Sequence, residues 1–178
     1  RRQDMDWFIT DGANKIYPEL FEDLLAALPE HAVNERVESL YQTVFGADEE
    51  AAIKAAQAWE AWGSQLAVGA YYDGEEDSGD AEKLLAQVKM ELHYAKNHYF
   101  IEDNQILNQC ATLTDIPAVI IHGRQDLVCP LEAGWSLAHA LPQADFNVLP
   151  TAGHIAQGDA MVDALVTAMD DLTKEPHR

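Results

Sequence analysis

The chain has 178 residues, and its 11 Lys and Arg against 31 Asp and Glu leave a formal net charge of −20 at pH 7. That balance argues against a nucleic-acid binder, because phosphate contacts need clustered cations; a hydrophobic content of 48% argues against a wholly disordered chain. No run approaches the roughly 18 consecutive apolar residues of a membrane span. Two cysteines, Cys110 and Cys129, cannot build a disulfide framework and fit a reducing, cytoplasmic compartment. No secretory leader pattern is present. A chain that starts at Arg1 in mid-pattern, without Met, is expected to be part of a longer protein.

The first hundred residues read as helices. After Pro18, the residues Leu20, Phe21, Leu24, Leu25 and Leu28 form an apolar stripe at helical spacing that Pro29 ends. Val33, Val37, Leu40, Tyr41 and Val44 form a second stripe, ended near Gly46. Asp48 is placed to cap the next helix, with Glu49 and Glu50 favouring its first turn. That helix carries Ala52, Ala56, Trp59, Trp62 and Leu66. The stretch Asp73 to Asp80 holds five acids, two glycines and one serine and reads as a solvated loop. A metal loop is the alternative there, but the spacing of a calcium loop with its late bidentate Glu is not matched. Asp80 is placed to cap a further helix to about Asn97, with Leu84, Leu85, Val88 and Leu92 inside.

The pattern changes after residue 110. Ala118, Val119, Ile120 and Ile121 form a short apolar run that stops at Gly123, as a buried parallel strand does. Pro130 suits the first turn of a helix carrying Trp135, Leu137, Ala138 and Leu141, which Pro142 ends. Phe146 to Leu149 is a second strand, and Gly158 precedes a last helix carrying Met161, Val162, Leu165, Val166, Met169 and Leu172. Strand, helix, strand, helix is a parallel unit. Functional groups in such sheets sit just past the carboxyl ends of the strands. Asp126 follows the first strand and His154 the second, so the two are expected to meet. An Asp that orients a His is the supporting half of a nucleophilic triad. Singly, such an Asp is also a common helix cap and a Gly-His pair a common turn. The nucleophile is missing from this pattern: Ser39, Ser64, Ser78 and Ser136 lie in no Gly-x-Ser-x-Gly elbow, and neither Cys129 nor Cys110 opens one.

The motifs along nearly the whole chain resemble the C-terminal part of the proline iminopeptidases, members of the α/β-hydrolase superfamily. Trp7 to Ala13 with Tyr17-Pro18-Glu19 resembles that family's Trp-Tyr-Tyr-Gln-x-Gly-Ala segment and the Phe-Pro-Glu after it. Ala55 to Trp62 resembles its Ala-Ala-x-x-Trp-x-x-Trp helix, and Glu91-Leu92-His93-Tyr94 its Arg-Ile-Glu-x-His-Tyr-Phe. Ile116 to Asp126, including His122-Gly123-Arg124, with Cys129-Pro130, resembles its Ile-Pro-x-x-x-Val-x-Gly-Arg-Tyr-Asp-x-x-Cys-Pro. Ala152-Gly153-His154 resembles its Ala-Gly-His-Ser.

The resemblance implies an α/β fold, truncated and mostly helical: a helical cap followed by the last two parallel strands and helices of an α/β-hydrolase. It divides the chain into a connector over 1–9, the cap over 10–108 and the C-terminal part of the hydrolase core over 109–178. It makes Asp126 the triad acid and His154 the general base. Cys129 would lie near the substrate pocket, and Phe8 and Ile9 would form pocket wall, with ordinary core as their alternative. Glu91 matches a carboxylate that holds the free α-amine of the substrate. Helical spacing agrees, since it shares an inward face with Leu84, Val88 and Ala95, and a carboxylate there needs a partner. A structural ion pair with Arg or Lys is the other reading.

Departures from the family pattern are specific. Gly63 stands where a second amine-binding Glu is expected, with Glu60 one turn earlier. Lys89 replaces the Arg, Ala95 the Phe, Gln125 the Tyr and Ile155 the Ser of the respective motifs. The implied function is that of a serine aminopeptidase fragment that releases an N-terminal residue, proline foremost, and is inactive alone. The alternatives are a non-catalytic interaction module and a fragment of a related α/β-hydrolase esterase. The expected partners are a peptide with a free N-terminus and a second copy of the chain, since two strands with open edges are marginal alone. Neither nucleic acid nor membrane is expected as a partner. No metal or organic cofactor is expected, because the seven His show no ligand spacing with Cys; His93 and His98 read as structural.

Overall fold

A computed structural model describes residues 1–29, 35–69 and 80–174. The chain divides into two units, Arg1–Leu66 with Ala70–Asp103 and Ala67–Gly69 with Asn104–Arg178. Among the described residues no helix is long and apolar enough to cross a membrane.

The first unit is helical. Helix α1 spans Arg2–Ile9, α2 Pro18–Ala26, α3 Arg36–Val44, α4 Glu49–Val68 and α5 Ala81–Lys96. Pro18 opens α2 because its fixed φ suits a first turn and its missing N–H costs nothing there. The Asp80 side chain caps α5 by accepting the amide of Glu82, and the Asp48 side chain accepts the amide of Ala51 at the start of α4. Val33 and the stretch 73–79 lie outside the described residues. The stripes read from the sequence do form the core. Phe21, Leu24, Leu40, Val44, Trp62, Leu66, Val88 and Leu92 are all buried. Trp62 ties this core to α1: its indole N–H donates to the carbonyl of Phe8 at 3.1 Å, and its ring lies 5.1 Å from that of Phe21. Across α3 and α5, which pack together, Lys96 reaches Glu38 at 3.0 Å and sits over the Tyr41 ring.

Arg2–Ile9, within the stretch read as a connector, form α1. At its end Ile9 is buried and Phe8 half-buried. Beyond α5, residues His98, Tyr99 and Phe100 all have positive φ, between 50° and 56°. Such angles are disfavoured for residues with a Cβ, and no local composition announces them.

The second unit holds a two-stranded parallel sheet. Strand β1, Val119–Gly123, pairs with β2, Asp145–Leu149, in the register Val119 to Asp145 through Gly123 to Leu149. Between them runs α7, Leu131–Ala140, which packs on both strands; α8, Asp159–Lys174, packs on β1. A one-turn helix, α6, spans Gln105–Gln109 ahead of the sheet. Pro130 stands one residue before α7, with ψ of 145°. It is therefore the extended residue that introduces the helix and not part of its first turn. Along α8 the apolar residues Val162, Leu165, Val166 and Met169 are exposed.

Candidate active site

The carboxyl ends of β1 and β2 are joined by backbone bonds that continue beyond the ladder. Arg124 N–H donates to the Leu149 carbonyl at 2.9 Å, and Gln125 N–H to the Ala152 carbonyl at 3.0 Å. The approach is close enough that a Cβ on Gly123 would collide with the carbonyl oxygens of Ala152 and Gly153. Only glycine lets the two loops touch, so it fixes where the residues after each strand emerge.

Asp126 and His154 emerge together. Nδ1 of His154 lies 3.1 Å from Oδ2 of Asp126. The other carboxylate oxygen, Oδ1, accepts the amides of Val128 at 3.0 Å and Cys129 at 2.8 Å. The Asp126 side chain is buried at 7% exposure, whereas His154 keeps 39%. The buried carboxylate is thus held from one side by the turn that follows it and offers its second oxygen to the imidazole. A carboxylate only accepts, so Nδ1 of His154 carries the proton and Nε2 is the basic nitrogen. The hydrogen bond that His154 makes to Asp126, and after it the one with the Cys129 side chain, raises its pKa from 6.5 to about 10. Chemically this is an oriented base backed by a fixed negative charge.

A third side chain joins them, one that stands in the sequence only as part of a motif. His122, on β1, places Nε2 2.9 Å from the Cys129 carbonyl oxygen and 3.6 Å from Oδ2 of Asp126. The spacing of four residues between His122 and Asp126 was the signal available. Without the turn's closure it did not show that the imidazole faces back into the turn. Cys129 itself is exposed and forms no disulfide.

In the first unit, Glu91 on α5 is half-buried. It accepts the indole N–H of Trp59 at 2.9 Å and the Gln87 amide at 3.0 Å. Both donors are neutral, and among the described residues no Lys or Arg pairs with Glu91. The expected inward face does carry Val88 and Ala95, both buried. Phe8 is half-buried, with its ring edge-on to Trp59 at 5.5 Å and to Trp62 at 6.3 Å. Ile9 is core, at 2% exposure. Glu60 accepts the hydroxyl of Ser64 at 3.1 Å, and a Cβ added at Gly63 would meet open space. Among the described residues no group of three His, Cys, Asp or Glu side chains is placed to hold a metal ion.

The chain is 36% identical over 172 residues to a proline iminopeptidase of Xanthomonas citri, which takes in 96% of this chain and 55% of that protein. It is 36% identical over 167 residues to the proline iminopeptidase of Neisseria meningitidis serogroup A, covering 93% and 52%, respectively. A plant relative, the proline iminopeptidase of Arabidopsis thaliana, is 29% identical over 175 residues, 97% of this chain and 46% of that one. The chain spans about half the length of the curated relatives it matches. The alpha/beta hydrolase fold family matches residues 9–160. That span takes in both strands, Asp126 and His154, and the chain belongs to the α/β-hydrolase fold family.

Proposed function

We propose that this chain carries the acid and the general base of a serine aminopeptidase that removes an N-terminal residue, proline foremost, from peptides. The nucleophile comes from sequence outside the 178 residues. One observation carries the reading: the bond from His154 Nδ1 to a carboxylate oxygen of Asp126 whose partner oxygen is locked by two backbone amides. In the reaction Nε2 of His154 takes the hydroxyl proton as the serine oxygen attacks the carbonyl of the first residue. Asp126 stabilises the imidazolium so formed, which gives its proton to the departing amine; water then repeats the cycle on the acyl-enzyme. Nucleophile and substrate cover the ring, and this desolvation lowers its pKa toward neutrality, where a general base works best.

Glu91 is the anchor for the cationic α-amine in this proposal. Its support is a carboxylate oriented by Trp59 and Gln87, with no neutralising cation among the described residues. The helical first unit is the cap domain in this proposal. A cytoplasmic setting is part of the same proposal, in keeping with the free thiols of Cys110 and Cys129. So is self-association of the chain through its two-stranded sheet. A chain that remains monomeric by light scattering at high concentration removes that last element.

The test is hydrolysis of proline β-naphthylamide by the 178-residue chain and by the chain extended through its preceding sequence. Turnover is expected only in the extended form and is lost in His154→Ala. Turnover by the 178-residue chain that His154→Ala abolishes refutes an external nucleophile; turnover by the extended form that survives His154→Ala refutes the base.

A further inference from the structure

We infer that His122 is a positioning residue for the acid–base pair, acting by holding shut the turn that fixes the Asp126 carboxylate. The inference rests on the acid–base reading of Asp126 and His154. It adds a residue to which that reading gives no role.

A carbonyl oxygen only accepts, so the 2.9 Å approach of His122 Nε2 to the Cys129 carbonyl assigns the proton to Nε2. The N–H of His122 therefore donates to the same peptide segment whose amides, at Val128 and Cys129, grip Oδ1 of Asp126. The turn 126–129 is tied at both ends of this short circuit. Its amides point in to the carboxylate, and its last carbonyl is pinned to β1 through the imidazole. The N–H also faces Oδ2 at 3.6 Å, beyond hydrogen-bond length but on the oxygen that holds His154. The His122 side chain is 13% exposed and is pressed from the other side by α7. A Cβ on Gly134 would stand only 2.8 Å from its Nδ1 and 3.2 Å from its Cγ. The ring thus packs closely against α7 on that side while its N–H points to the turn. Loss of the N–H leaves the Cys129 carbonyl unpartnered and frees the turn. The carboxylate then samples positions in which His154 Nδ1 no longer meets it squarely, and its hold on the His154 proton weakens. The titratable groups around this circuit are Asp126, His154 and the Cys129 thiol.

The experiment is NMR titration of His154 in the 178-residue chain, which reads the pair without turnover. His122→Phe keeps the ring's volume and deletes the donor. It should lower the His154 midpoint by about one pH unit, a tenfold weaker hold on the proton. His122→Gln restores a side-chain N–H at nearly the same reach and should recover most of that loss. A purely structural role predicts lower thermal stability in His122→Phe with the midpoint unmoved, and that result overturns the inference. So does a midpoint that drops as far in His122→Gln as in His122→Phe. If His122→Phe does not fold, Gly134→Ala pushes on the ring from α7 and should lower the midpoint in a folded chain. An unmoved midpoint there overturns the inference too. A wild-type midpoint at the ordinary 6.5 has a different meaning: the Asp126–His154 pair itself is then not formed, and both readings fall together.

Discussion

Asp126→Asn removes one charge and leaves the fold of the site in place. The Asn oxygen can still accept the amides of Val128 and Cys129, which in the native chain bond to Oδ1 at 3.0 and 2.8 Å. The Asn nitrogen then faces His154 Nδ1 across the former 3.1 Å contact. That nitrogen donates, so His154 must present a bare Nδ1 and move its proton to Nε2, the nitrogen that should receive one. Hydrogen bonds to charged groups are worth about 1.5–3 kcal/mol when shielded. With the His154 ring 39% exposed, solvent screening brings this to about 1–2 kcal/mol. The folded His154 pKa is raised, to about 10 from 6.5. The bond therefore stabilises the fold fully below pH 6.5, and its contribution is lost as pH rises to about 10. The wild type should denature at higher urea than Asp126→Asn at pH 6, and the two curves should converge above pH 10. NMR should show the His154 midpoint falling by at least about one pH unit in the variant. In a form of the protein with its nucleophile, turnover should drop by about 10⁴-fold, as expected when a triad imidazole is held in the wrong tautomer. A stability difference that is the same at pH 6 and above pH 10 would refute the charge argument. A His154 midpoint unchanged in Asp126→Asn would refute the contact itself.

Further outcomes follow from other contacts. Gly123→Ala puts a methyl group into the Ala152 and Gly153 carbonyls; it should cost about 1–3 kcal/mol in urea denaturation and broaden the His154 signals. Trp62→Ala empties a site in the core of the first unit and orphans the Phe8 carbonyl. A loss of about 3–5 kcal/mol, or no folded first unit by circular dichroism, is expected. Trp59→Phe keeps the aromatic packing on Phe8 but takes away the indole donor to Glu91. In an active form of the protein it should raise KM for substrates with a free amine several-fold while leaving kcat within about twofold, the pattern of lost uniform binding. Glu91→Gln should do the same more strongly, and unaltered kinetics in both variants would remove Glu91 as the anchor.

How much of this was legible depended on the range of the cause. Helical stripes such as Leu20 to Leu28 and the apolar run at 118–121 are local, and the elements they form stand within a few residues of where the pattern puts them. The meeting of Asp126 and His154 was legible because parallel strands place their following loops side by side. The partners of Glu91 and the Phe8 carbonyl were not, since Trp59 and Trp62 reach them across 32 and 54 residues. From the sequence both indoles read as members of an apolar stripe and of a Trp-x-x-Trp motif, neither of which names their hydrogen-bond partners. His122 was hidden for a third reason. In a strand of aliphatic neighbours it stands only as one residue of a longer motif, and only the shape of the turn after β1 turns its N–H into an anchor. The left-handed run at His98 to Phe100 has no compositional cue, because it contains none of the glycine or asparagine that usually permits such angles.

The bonds that clasp the two loops also decide where this protein can be divided. Acid, base and every backbone bond that joins their loops lie within one continuous stretch from Val119 to His154. Recombination or a split reporter with its break ahead of Val119 keeps the pair on one piece. A break within α7 parts acid from base and leaves their reunion to the pairing of two short strands.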